Sequence, residues 1–175
     1  MISIMYEFPR NKATALRDAL DLEQPWLDVV GLMEFMIHQI LPGFWYEVVG
    51  KNELPDSHAL AFPRQQRLVI REDVYNGACN NNTADRFTLA HELGHIFLHK
   101  GIRARQDERS AQEWIDDLEV EANVFGMELM MPAPIALQVR TPAILGQLCG
   151  VSRSIAIYQW SAVRSAAYTG KEWNR

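Results

Sequence analysis

Cysteine is scarce in this chain. Cys79 and Cys149 form no CxxC pair and read as free thiols of a reducing compartment, with one long-range disulfide as the alternative. No uncharged apolar run reaches the length needed to span a bilayer. Residues 1–12 have no apolar core behind a basic start, so they do not read as a signal peptide. Internal repeats and low-complexity tracts are missing too. Basic charge is also short: the net charge of −5 argues against a surface built mainly for nucleic acid. The deficit is uneven. Residues 133–175 carry five basic and one acidic side chain, a net +4, which leaves −9 for residues 1–132. These absences make a cytoplasmic protein with no membrane partner the expectation.

What is present suffices for one packed domain, 175 residues at 48% hydrophobic content. N-terminal helices are expected over about 9–41. Pro9 suits the first turn of one, with Ala13, Leu16, Ala19 and Leu20 on its apolar side. A second starts at Pro25 and stops at Pro42-Gly43. Trp26, Val29, Val30, Met33, Met36, Ile37 and Ile40 recur along it at helical spacing and read as packing, while His38 falls on the surface. Three short strands follow within about 44–72, at 44–49, 58–62 and 68–71. His58 reads as a rim residue rather than a distant ligand. Gly77 to Asp85 is a polar loop that supplies Asn82, Thr83 or Asp85 as the cap of the next helix. The fold class is α+β, mostly helical, with a small sheet beside that helix.

That helix, over about 84–100, is apolar nearly all round: Phe87, Leu89, Ala90, Leu93, Ile96, Phe97 and Leu98. Such a helix is buried, so its polar residues must be paired, ligated or open to a cleft. They lie in the HExxH stretch His91-Glu92-Leu93-Gly94-His95. On a helix His91 and His95 are about 40° apart around the axis and about one turn apart along it. Two imidazoles so placed can hold one metal ion, and Glu92 can reach a water on it, the pattern of zinc peptidases. The bland alternative is a buried helix with stray histidines.

Zinc held this way lacks one protein ligand. His99 continues the spacing but lies about 12 Å from His91 along the axis, too far to share one ion. It reads instead as a residue that orients a neighbour or caps the cleft. Residues 103–110 form a charged, solvated loop placed to gate entry. The helix beyond, over about 111–131, has Trp114, Leu118, Ala122, Phe125 and Leu129 on its apolar face. At about 100° per residue, Glu121 groups with Asp117 and Glu128 as a solvated acidic stripe. Glu119 groups with Asn123 and Gly126, where a small residue admits a second helix and an amide can support a ligand. Glu119 is therefore the better third ligand. Further helices over about 135–168 turn near Gly146, Gly150 and Ser152.

Arg86-Phe87-Thr88-Leu89-Ala90 running into HExxH and Leu98-His99 resembles the ImmA/IrrE family of metallopeptidase-like proteins. So does Glu119-Val120-Glu121-Ala122-Asn123-Val124-Phe125 followed by Leu129-Met130-Met131-Pro132. The resemblance implies a zincin-like fold and a gluzincin-like site in which His91, His95 and Glu119 hold one zinc ion per chain. It also implies a cytoplasmic protein, often encoded by mobile elements, that cleaves or antagonises a helix-turn-helix repressor. Related gluzincins often carry aspartate where Asn123 stands, so support at that position rests on a neutral amide.

The expected chemistry is peptide hydrolysis, with Glu92 taking a proton from the attacking water and passing it to the leaving amine. Tyr75, His99 and Tyr158 are open candidates for stabilising the oxyanion. The substrate would be an extended segment added as a strand beside the sheet, from a linker or exposed loop of the partner. Two other readings stand beside this one. The protein is a non-cleaving module, with or without zinc, that sequesters a repressor; or it binds DNA, because Leu145 to Arg153 resembles a helix-turn-helix turn. Against the latter, the presumed recognition helix, 154–160, has no basic residue.

Overall fold

The computed structural model describes residues 2–101 and 111–168, with side-chain surroundings over 6–101 and 112–166. In chain order it has α1 (Ile2–Ala19), α2 (Val29–Gly31), β1 (Trp45–Val49), β2 (Ala59–Phe62), β3 (Arg67–Arg71), α3 (Glu72–Cys79) and α4 (Thr83–Leu98). Then come α5 (Ala111–Met130), α6 (Ala133–Gln138), α7 (Pro142–Cys149) and α8 (Arg153–Tyr168). This is an α+β fold. None of the described helices is long and apolar enough to cross a membrane.

The sheet is built on β3, a short apolar run buried along nearly its whole length, as suits a central strand. β3 is central, parallel to β1 and antiparallel to β2, with Tyr46 and Ala61 both in register with Leu68. Leu68 and Ile70 are fully buried and join one core with Leu89, Ala90, Leu93 and Ile96 of α4. Burying each large aliphatic contributes roughly 1.5–3 kcal/mol, so α4 is held chiefly by this core. Asn82 fixes where α4 begins: its side-chain oxygen accepts from Ala84 N and Asp85 N at 3.0 and 3.2 Å.

Glycines set how closely α4 and α5 approach. A Cβ on Gly94 would lie 3.0 Å from the Ala122 Cα and carbonyl oxygen, and one on Gly126 would lie 3.2 Å from His91 N. Both neighbours are backbone, so nothing can swing aside. Phe125 and Leu129 of α5 complete the shared core.

Buried cations and one buried carboxylate tie the terminal helices to this pair. Arg86 of α4 donates to the carbonyls of Leu27 and Gly150 and stacks 3.7 Å from the centroid of the Trp26 ring. Gly150 sits at φ 65°, and a Cβ there would overlap both Trp26 and Arg86. Arg17 donates to the carbonyls of Leu22, Gln24 and Leu129.

Five expectations need correction or completion. Pro9 does not open α1 but lies inside it, the helix running on through the one hydrogen bond that proline cannot make. The stripe from Val29 to Ile40 is not one α-helix. It passes from α2 through a π turn (Leu32–Met36) into a 3-10 turn (Ile37–Gln39). Its ends, Trp26 and Ile40, are exposed, as is His38. Gly77 to Cys79 belong to α3 rather than to a loop. Glu128 is not solvated: at 3% exposure it accepts from Arg10, the Ala133 N–H and Gln159, at 2.7, 2.7 and 2.8 Å. The charged loop expected at 103–110 lies outside the described residues.

Candidate metal centre and active site

The close crossing of α4 and α5 brings three of the expected residues together. His91 Nε2 and His95 Nε2 are 3.1 Å apart, and the Glu119 carboxylate lies 3.1 Å from the first and 3.3 Å from the second. Among the described residues, this is the group of histidine and acidic side chains placed to hold a metal ion. The Glu119 side chain is 51% exposed against 17% and 15% for the histidines, so the cluster opens to solvent on the α5 side.

Hydrogen bonds behind the rings decide what this cluster can accept. His91 Nδ1 is 3.0 Å from Asn123 Oδ1, an acceptor, so the ring donates there and keeps its lone pair on Nε2. His95 Nδ1 is 2.9 Å from His99 Nδ1, and His99 Nε2 is 3.2 Å from Glu121 Oε2. Burial lowers the pKa of both candidate ligands. His95 is pushed down to about 3, with His91 and His99 adding to the effect, while Glu119 and Asn123 partly offset it at His91. Neutral imidazole is the form that binds metal.

With each ring carrying its proton on Nδ1, three acceptors converge, an arrangement that a cation resolves. Their spacing also fits. Four ligands at 2.0–2.1 Å around tetrahedral zinc lie about 3.3 Å apart, close to the separations found here.

Glu92 sits between the histidines on α4, where burial pushes its carboxyl up to about 8. The charge of Glu119 adds to this, and a hydrogen bond from the Ala61 N–H works the other way. That bond sets β2, an edge strand in the order β1-β3-β2, beside the cluster. A cleft of about 400 Å³ lies alongside, lined by Phe62, Arg64 and Gln65, by Trp114 and Leu118 of α5, and by His95 and His99.

Such a combination is what an HExxH helix and a glutamate-bearing helix are expected to build. The family described as Peptidase M78, IrrE N-terminal-like domain, matches residues 51–161. The chain belongs to that family. It is a family of metal-dependent peptidases, and its matched span contains β2, β3, α3 to α7 and every residue of the cluster. No curated protein matches the chain.

The other candidate positions of this IrrE-like chain have surroundings of their own. The Tyr75 hydroxyl donates to Glu34, as does that of Tyr46 at 3.0 Å, and that hydrogen bond together with burial holds Tyr75 well above the usual phenol range. Tyr158 is 72% exposed on α8. His58 is exposed in the bend just before β2. Of the basic residues near α7 and α8, Arg164 donates to the carbonyls of Ala136, Leu137 and Val139, capping the end of α6.

Two features escaped the sequence. Glu121 was assigned to solvent but accepts from His99, and the Ala61 N–H bonds Glu92. A histidine buried on an apolar helix needs an acceptor, and that requirement was the available signal for Glu121.

Proposed function

We propose that the protein is a zinc-dependent endopeptidase that cleaves an extended segment of a specific partner protein, of the helix-turn-helix repressor class. The observation that carries this is the convergence of His91, His95 and Glu119 at tetrahedral spacing with Glu92 beside them. His91, His95 and Glu119 would hold the ion. Zinc supplies Lewis-acid activation of water and of the scissile carbonyl.

The remaining work falls to the chain itself. Glu92 is partly buried on α4 between the two histidines, and its raised pKa suits a group that takes a proton from water and returns it to the leaving amine. The outer edge of β2, paired with no other strand among the described residues, can pair with an extended peptide, whose side chains would enter the cleft beside Phe62 and Trp114. An extended strand is available in linkers and exposed loops rather than in folded domains. The repressor as partner rests on family membership, and location in the cytoplasm follows from such a partner.

Glu92→Gln tests the chemistry. The amide is close in size but cannot accept the proton, so the variant should keep its fold and metal and lose cleavage by a factor on the order of 10²–10⁴. Co-expression with a helix-turn-helix repressor as candidate partner, followed by mass spectrometry of the fragments, reads this out. Equal fragments from wild type and Glu92→Gln would sink the mechanism. Intact repressor with both proteins, in a stable complex, would favour a binding module that does not cut.

A further inference from the structure

Glu121 closes a hydrogen-bond chain that runs into the candidate metal centre. The His99 side chain, 4% exposed, has Nε2 3.2 Å from Glu121 Oε2 and Nδ1 2.9 Å from His95 Nδ1. A carboxylate only accepts, so His99 donates from Nε2. A neutral His99 then offers a lone pair at Nδ1, and His95 must donate from its own Nδ1. With His99 neutral, the polarity of the chain is set at its carboxylate end. What remains on His95 is an Nε2 lone pair facing His91 Nε2 and Glu119.

We propose that Glu121 and His99 are positioning residues that lock His95 in the tautomer able to ligate metal. The inference rests on the metal-binding reading above. The two histidines are supported unequally. His91 leans on the neutral amide of Asn123, whereas His95 is tied through His99 to a charge. Hydrogen bonds to ionised groups are roughly twice as strong as neutral ones, so the charge of Glu121 fixes the orientation of His99, which in turn meets His95. The ring contacts agree: His99 meets His95 edge-on, with centroids 4.9 Å apart and planes at 62°. Glu121 acts on the centre only through His99, so its influence should vanish when His99 is replaced.

The test has two readouts on the full chain. Nitrogen chemical shifts of ¹⁵N-labelled, metal-free protein report which ring nitrogen carries the proton, and competition with a chromophoric chelator reports zinc affinity. Wild type should show His95 protonated at Nδ1, and His99→Phe should show a mixture of tautomers. Zinc affinity should fall about 10–100-fold in His99→Phe and by a smaller factor in Glu121→Gln. The double variant should be no weaker than His99→Phe alone. Asp116→Asn, on the same helix and bonded to Gln112, should match wild type.

Protonation of wild-type His95 at Nε2, unchanged affinity in both variants, or losses that add in the double variant would each overturn the proposal. If His99→Phe does not fold, Glu121→Gln decides, because the substitution is nearly isosteric at a residue in contact with solvent: wild-type affinity would refute the relay. If wild type takes up no zinc, the metal reading fails, while the tautomer of the metal-free protein still decides the relay.

Discussion

Glu128→Ala should be among the most damaging single substitutions away from the active site. The carboxylate is 3% exposed and gathers donors from α1, the N-terminus of α6 and α8. Arg10, itself 4% exposed, lies 2.7 Å away. Removing one member of a buried ion pair costs about 3–5 kcal/mol, because the remaining buried charge loses the attraction that offset its desolvation. The Ala133 N–H would lose its acceptor as well. For a chain of this size each kcal/mol lowers Tm by roughly 2–4 °C, so the drop should be about 6–20 °C. Glu128→Gln keeps the volume and one acceptor oxygen and should lose less. Replacing both partners, Arg10→Met with Glu128→Leu, should recover much of the loss, since the desolvation penalty disappears with the charges. Thermal and urea unfolding with saturating zinc measure all three. A loss under about 1 kcal/mol in Glu128→Ala, or a double variant less stable than the single, would refute the reasoning.

Asn82→Ala removes the cap of α4 and should cost about 1 kcal/mol in urea unfolding, with cleavage by the folded protein unchanged. A loss of metal without a loss of stability would contradict that. Gly94→Ala sets a helix-propensity gain of about 1 kcal/mol against overpacking worth about 1–3 kcal/mol on the α5 backbone. The net should be a loss of up to about 2 kcal/mol with weaker zinc binding, and a more stable variant with normal zinc affinity would show the helices are not in close contact there.

The parts legible in the sequence are those where local pattern and local chemistry coincide. HExxH on an apolar helix, Asn82 just before it, and three β-branched or aromatic runs each carry a signal within a few residues. Glu119 and Gly126 could be placed together because a helical wheel needs only angles. The same wheel failed for Glu128 and Glu121, because it says which way a side chain points but not what lies opposite. Arg10 is 118 residues from Glu128 and His99 is 22 from Glu121, so neither partner leaves a periodic trace. α3 was missed because its buried side, Val74 and Ala78, is too short to stand out beside Gly77 and three consecutive asparagines. Gly77 is accommodated in that helix where a Cβ would overlap the Asp85 side chain, a constraint visible only in three dimensions.

Metal analysis of the purified chain and three variants tests the central claim most directly. Wild type should carry about one zinc per chain, tightly enough to survive dialysis. His91→Ala, His95→Ala and Glu119→Ala should each fall to near background while remaining folded by circular dichroism, because each leaves only two of the three converging ligands. A wild-type chain that stays free of zinc after incubation with the metal, or a Glu119→Ala variant that retains a full equivalent, would contradict the account.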